Sequence, residues 1–161
     1  MPKTFMPSVT NIEDLNAHQL KGLQWTVAHA YQGSDFYRKK LDEAGVDPDG
    51  IKSLDDIQSL PFTTADDLRD GYPFPLLSVP ESQVVRIHAS SGTTGKRKIL
   101  PYTQKDIDDW THFFARCYEL AGLTPEDRVL VVTDKETATC GEAFVAGARD
   151  HGCEVETYFL P

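Results

Sequence analysis

Apolar residues recur at helical spacing along the first third of the chain, and cap-forming residues bound the elements they predict. Leu20, Leu23, Val27, Ala30 and Tyr31 fall on one helical face. Ahead of them, Thr10-Asn11-Ile12-Glu13 has the spacing of a capping box, in which a hydroxyl and a carboxylate satisfy opposing backbone donors. A second helix is expected from near Ser34 to Gly45, then a turn at Asp47-Pro48-Asp49-Gly50. Ser53 to Asp56 and Thr64 to Asp67 repeat the helix-start spacing, while Pro61, Pro73, Pro75 and Pro80 interrupt the stretch from Leu60 to Glu81. Short helices and loops are expected there.

The texture then changes. Val84, Val85 and Ile87 mark a strand over Gln83 to Ala89, Ser90 to Gly95 is a small hydroxyl-rich loop, and Arg97 to Tyr102 reads as a second strand. Strand, loop and strand are expected to form a hairpin. Thr103 to Asp106 starts a helix whose buried stripe would be Ile107, Trp110, Phe114, Cys117 and Ala121, closed by Gly122. Arg128 to Thr133 is a β-branched run suited to a buried strand. Glu142 to His151 follows as a helix whose Ala143, Ala146, Gly147 and Ala148 allow close packing, and Glu154 to Leu160 is a last strand. Strand, helix and strand over that length predict a parallel βαβ unit.

Composition narrows the function. The 161 residues, 40% of them hydrophobic, suit one domain or a large piece of one. With 16 Lys and Arg against 25 Asp and Glu, the net charge of -9 argues against nucleic acid and anionic membranes as partners. Met1 to Thr10 has no apolar signal core, and no run approaches the roughly 18 apolar residues of a membrane span. Three irregularly spaced cysteines, Cys117, Cys140 and Cys153, suggest free thiols in a reducing, cytoplasmic setting.

One stretch carries chemistry: His88-Ala89-Ser90-Ser91-Gly92-Thr93-Thr94-Gly95-Lys96-Arg97-Lys98. Gly92 and Gly95 lack a Cβ, so successive backbone N–H groups can turn inward on one point. Ser90, Ser91, Thr93 and Thr94 add hydroxyl donors, and Lys96, Arg97 and Lys98 add cations, with Arg86 just upstream. A polyphosphate suits such a loop. The spacing is two residues short of a Walker A loop, and there is no G-x-G-x-x-G dinucleotide fingerprint. The plain alternative is a polar hairpin turn with a solvated basic flank. Cys140, His151 and Cys153 lack both C-x-x-C spacing and an evident fourth ligand, so no metal site is assigned. Trp25 and Trp110 read as packing residues, and His88 as a polar core histidine or, alternatively, a support of the loop. The paired aspartates at 55–56, 66–67 and 108–109 complement helix dipoles.

Ser-Ser-Gly-Thr-Thr-Gly-Lys resembles the phosphate loop of the adenylate-forming superfamily. Its flanks are more specific. SDFYRKKL from Ser34, DEAGV from Asp42, LPFTTADDLRD from Leu60, YPF from Tyr72, VRIHASSGTTG from Val85 and YTQKDIDDW from Tyr102 resemble the phenylacetate-CoA ligases in order and spacing. The resemblance implies an α/β fold, the N-terminal part of the large domain of these enzymes: a helical segment over 1–80, then an α/β segment over 81–161 with the phosphate loop. It also implies that Ser90, Ser91, Gly92, Thr93, Thr94, Gly95 and Lys96 hold the nucleotide phosphates. The implied reaction joins an aryl carboxylic acid to ATP as an acyl-adenylate and passes the acyl group to coenzyme A, with Mg²⁺ accompanying the nucleotide. No catalytic residue is assigned here, since the family's catalytic lysine lies in a further domain. A non-catalytic nucleotide-binding module, or a truncated remnant needing a partner chain, is the competing expectation. A homodimer or a complementing C-terminal chain are the partner arrangements left open. Two departures stand out. Arg97-Lys98 follows the loop lysine where the family has proline, and the 133–141 stretch is polar where the family is aromatic and Gly-rich.

Overall fold

The computed structural model describes residues 9–89, 97–134 and 138–160, with 138–140 as backbone alone. The chain divides into two compact units with the boundary between Pro101 and Tyr102.

The first unit is mostly helical. Helix α1 (Ile12–Gly33) leads into α2 (Asp35–Glu43), a 3-10 turn at Pro48–Gly50, another at Leu54–Ser59, and the short α3 (Asp67–Asp70). The predicted stripe of α1 is real: Val27 is buried with Leu41, Val46 and Ile51, and Leu20, Leu23, Tyr31 and Leu60 pack around them. Burying each such aliphatic side chain contributes about 1.5–3 kcal/mol. Gln24 Nε2 donates to the Ile51 carbonyl at 2.8 Å and ties the following loop to α1. Ser34 serves two helices. Its backbone N–H donates to Ala30 O at the end of α1, and its hydroxyl accepts from Tyr37 N to start α2. Arg38 of α2 donates to the carbonyls of Tyr31 and Gln32, satisfying acceptors that the end of α1 would otherwise leave open.

Two helix starts differ from the sequence expectation. Asn11 caps α1 in place of Thr10, its side chain accepting from Asp14 N at 2.8 Å. Thr64 and Asp67 do bond each other reciprocally, but α3 begins only at Asp67, after Asp66. The loop is fixed by Lys40, whose ammonium sits 2.8 Å from the Asp67 carboxylate, so the box closes a turn before any helix starts.

Strand β1 (Val84–Ala89) pairs with β2 (Ile99–Thr103) in a two-stranded sheet, and β2 leads into α4 (Gln104–Leu120). Thr103 and Asp106 form the predicted capping box. In the second unit β3 (Arg128–Thr133), α5 (Ala138–His151) and β4 (Glu154–Phe159) form the predicted parallel βαβ unit, with Arg128 opposite Glu154 and Thr133 opposite Phe159. Helix α5 starts four residues earlier than the spacing suggested.

Helices α4 and α5 pack closely because Gly147 has no side chain. A Cβ there would lie 2.3 Å from Phe114 Cβ and 2.9 Å from Ala115 N. This contact turns the buried stripe of α4 toward Phe114, Ala115 and Tyr118, leaving Cys117 and Ala121 exposed against expectation. Three helices close alike. Val46 N donates to Leu41 O, Leu123 N to Tyr118 O and Cys153 N to Ala148 O, each around a glycine with positive φ: Gly45, Gly122 and Gly152. The expectation that β3 is a buried strand fails on one face. Val129, Val131 and Thr133 are half-buried on the face where Thr133 meets Gly141 of α5, whereas Leu130 and Val132 on the other are 60% and 50% exposed.

Candidate nucleotide-phosphate site

The loop singled out by its chemistry, Ser90, Ser91, Gly92, Thr93, Thr94, Gly95 and Lys96, lies outside the described residues. Its frame does not. Strand β1 carries the chain up to Ala89, and residues 97 and 98 lead into β2. Because β1 and β2 pair with each other, the loop leaves and rejoins one small sheet.

Alternation along β1 sorts its side chains. Val84, Arg86 and His88 are half-buried, and Val85 and Ile87 are more than half exposed. Arg86 is three residues short of Ala89, about 10 Å at the rise of a strand. It shares the half-buried face of β1 with His88 and, like Lys98, has an interaction partner of its own. Arg97 is the flanking cation that faces solvent.

Perturbed acids are found elsewhere. Hydrogen bonds from the Lys52 and Ser53 backbone hold the Asp56 carboxyl below its ordinary range. The Lys40 ammonium, then the Thr64 N–H, do the same for Asp67, and the Thr124 N–H and hydroxyl for Asp127. Arg116 lowers Glu119. Burial raises Tyr118, while the bond to Asp42 raises Tyr31. Each of these groups sits in a cap, an ion pair or a packed helix face, a structural pattern without the convergence of a catalytic cluster.

The residues considered for metal binding have structural uses. His151 Nε2 donates to Leu123 O at 2.8 Å and Cys153 Sγ to Thr124 O at 3.3 Å, pinning the turn before β3. The Cys140 side chain lies outside the described residues. That same turn is held by a carboxylate not anticipated from the sequence: Thr124 N and the Thr124 hydroxyl donate to Asp127 Oδ2 at 2.7 Å and 2.9 Å. Its signal, Thr-x-x-Asp, is the one recognised at Thr64 and Thr103. Near α1 a shallow depression of about 460 Å³ is bordered by Leu20, Lys52 and Asp55, but its Ser53 is committed to a cap, so nothing there replaces the loop as the candidate.

Known structures place this geometry in a class. A 2-hydroxyisobutyryl-CoA ligase in the postadenylation state with 2-HIB-AMP matches 98% of this chain and 36% of its own, with TM-score 0.82 at 23% identity. The same kind of ligase with 2-HIB-AMP and CoA in the thioesterification state matches with TM-score 0.81 at 27% identity, over 98% of this chain and 33% of its own. The fold is that of the adenylate-forming CoA ligases. Sequence narrows the class: the chain is 46% identical over 145 residues, 90% of its length, to the phenylacetate-coenzyme A ligase of Escherichia coli (strain K12). It is 48% identical over 113 residues, 70% of its length, to that of Thermus thermophilus, covering 25% of that protein. The curated relatives of this chain, similar to it over most of its length, are phenylacetate-CoA ligases. The chain spans about a third of the length of the curated relatives it matches, 33% for the Escherichia coli protein. No family model matches it.

Proposed function

We propose that this chain supplies the ATP-phosphate-binding part of an acid–thiol ligase that activates a phenylacetate-like aryl carboxylic acid. One observation carries the proposal. The alignment with the Escherichia coli ligase takes in 145 of the 161 residues, so the mid-chain loop 90–96 falls within a stretch 46% identical to a protein of that name.

The chemical difficulty in such a reaction is to bring an anionic acid to an anionic polyphosphate. The loop's part is to offset that repulsion. Backbone N–H groups freed by Gly92 and Gly95, the hydroxyls of Ser90, Ser91, Thr93 and Thr94, and the Lys96 ammonium donate to phosphate oxygens. The departing pyrophosphate is held by the same donors, so their effect falls on adenylation. The acyl-adenylate then passes its acyl group to the thiol of coenzyme A, with AMP leaving. Mg²⁺ would accompany the nucleotide. Among the described residues no group of three or more His, Cys, Asp or Glu side chains could hold a metal ion.

The competing reading is a nucleotide-binding module without catalysis of its own. Stepwise kinetics separate the two. In a ligase completed with the rest of the family's length, Ser91→Ala with Thr94→Ala removes two hydroxyl donors and keeps both glycines. At about 1.5–3 kcal/mol for each bond to a charged group, adenylation should slow about 10²- to 10⁴-fold. Thioester formation from preformed acyl-adenylate should hardly change, and Ser53→Ala, in a helix cap, should leave adenylation alone. Equal slowing of both steps by the loop pair would mean a structural turn.

A further inference from the structure

Charge sets the stretch around the proposed phosphate loop apart from the rest of the chain. No Asp or Glu stands between Glu81 and Asp106, although the whole chain carries a net charge of -9. Into that acid-free stretch fall Arg86, Lys96, Arg97, Lys98 and Lys105. Three of these cations are already in use. Lys105 pairs with Asp109 in the first turns of α4, and Arg86 and Lys98, both half-buried, have interaction partners. Arg97 differs. It is exposed, it follows the loop directly, and none of the described residues pairs with it. An arginine keeps its proton in a protein, so Arg97 is a permanent positive charge standing in solvent. Strand β2 begins two residues later, at Ile99, and its pairing with β1 anchors the backbone there. Adjacent Cα atoms are about 3.8 Å apart, so the charge stays within a screening length, about 8–10 Å at moderate salt, of the loop's exit.

We infer that Arg97 is a further binding residue for the polyphosphate: its charge draws the terminal phosphates of ATP, and free pyrophosphate, to the loop. The inference rests on the reading of residues 90–96 as the phosphate loop. Exposure decides the form of the effect. A desolvated contact resists salt, whereas an exposed charge is screened by it. Such a charge recruits the anion and holds it equally before and after the reacting groups change, so it lowers KM for ATP and leaves kcat alone.

The test is binding of inorganic pyrophosphate to the full 161-residue chain, followed by calorimetry and read without activity. At low ionic strength Arg97→Ala should weaken binding about 10-fold, as expected for one charge facing a multiply charged anion across several ångströms of water. At physiological salt the difference should shrink to about two- to threefold. Arg97→Lys should restore binding, since the charge acts and the planar fork does not. Lys39→Ala removes an equal charge from the Lys39–Glu43 pair of α2 and should change binding little. Arg97 is exposed, so its variants should keep the circular dichroism of the unaltered chain. In a ligase completed with the rest of the family's length, Arg97→Ala should raise KM for ATP at unchanged kcat. Pyrophosphate binding that ignores Arg97→Ala but is weakened by Ser91→Ala with Thr94→Ala would overturn the inference and leave the loop reading standing. Failure of Arg97→Lys to restore binding, an effect equal at both salts, or a fall in kcat at unchanged KM would also overturn it. Binding indifferent to the loop pair, or absent from the unaltered chain, would overturn the loop reading and the inference with it.

Discussion

Two glycines, both inside helices, show how context sets the sign of one substitution. Gly22 lies in α1 with nothing within 4 Å of the position a Cβ would take, whereas a Cβ on Gly147 would press into Phe114 and the Ala115 backbone. Gly22→Ala should stabilise the protein by about 0.5–1 kcal/mol, since alanine restricts the unfolded chain and favours helix. Gly147→Ala gains the same propensity but must push α4 away, and overpacking of this kind costs about 1–3 kcal/mol, so it should destabilise. Urea midpoints of the two variants should move in opposite directions. Small residues in α5 were legible in the sequence as a packing signal. That they select Phe114, Ala115 and Tyr118 as the buried stripe of α4 was not, because a stripe through Cys117 fits helical spacing equally well and only the partner decides.

At the level of elements, caps were the most legible feature and also a source of small errors. The Ser34, Ser53 and Thr103 starts were identified from spacing, and each is where the structure has a cap. Thr64 to Asp67 shows the limit: the same bonds can close a turn, because the box is local and continuation into helix depends on the residues after it. Thr103→Ala should cost about 1 kcal/mol, measurable as a lower urea midpoint. The caps also predict acid sensitivity. Asp56, Asp67 and Asp127 are held below their ordinary carboxylate range when folded, by backbone N–H groups at Asp56 and Asp127 and first by Lys40 at Asp67. A depressed folded pKa gives stability that is present above the unfolded value, about 3.9, and lost as pH falls through the folded one. Stability should therefore decline below about pH 4. Asp67→Asn, which removes one such group, should be less stable at neutral pH and show a shallower decline below pH 4. An unchanged decline would mean that Asp67 has no share in it.

At the scale of the whole molecule, the sequence indicated the family through six separated blocks, and the curated relatives agree. It indicated the order of elements because caps, prolines and β-branched runs are local signals. The open face of β3 was not legible. A continuous run such as Val129-Leu130-Val131-Val132 looks the same whether one face or both are covered, and coverage depends on residues distant in the chain or beyond it. No helix among the described residues is long and apolar enough to cross a membrane. If residues 90–96 grip the phosphates of ATP for a ligase of which this chain spans about a third, acid-dependent pyrophosphate release should show it. With phenylacetate and ATP, the 161-residue chain alone should release none. The completed ligase should release pyrophosphate, and Ser91→Ala with Thr94→Ala should reduce that rate about 10²-fold or more. A completed ligase whose rate is indifferent to the loop pair would show that the loop does not have this role, and pyrophosphate release by the chain alone would show that adenylation does not need the rest of the family's length.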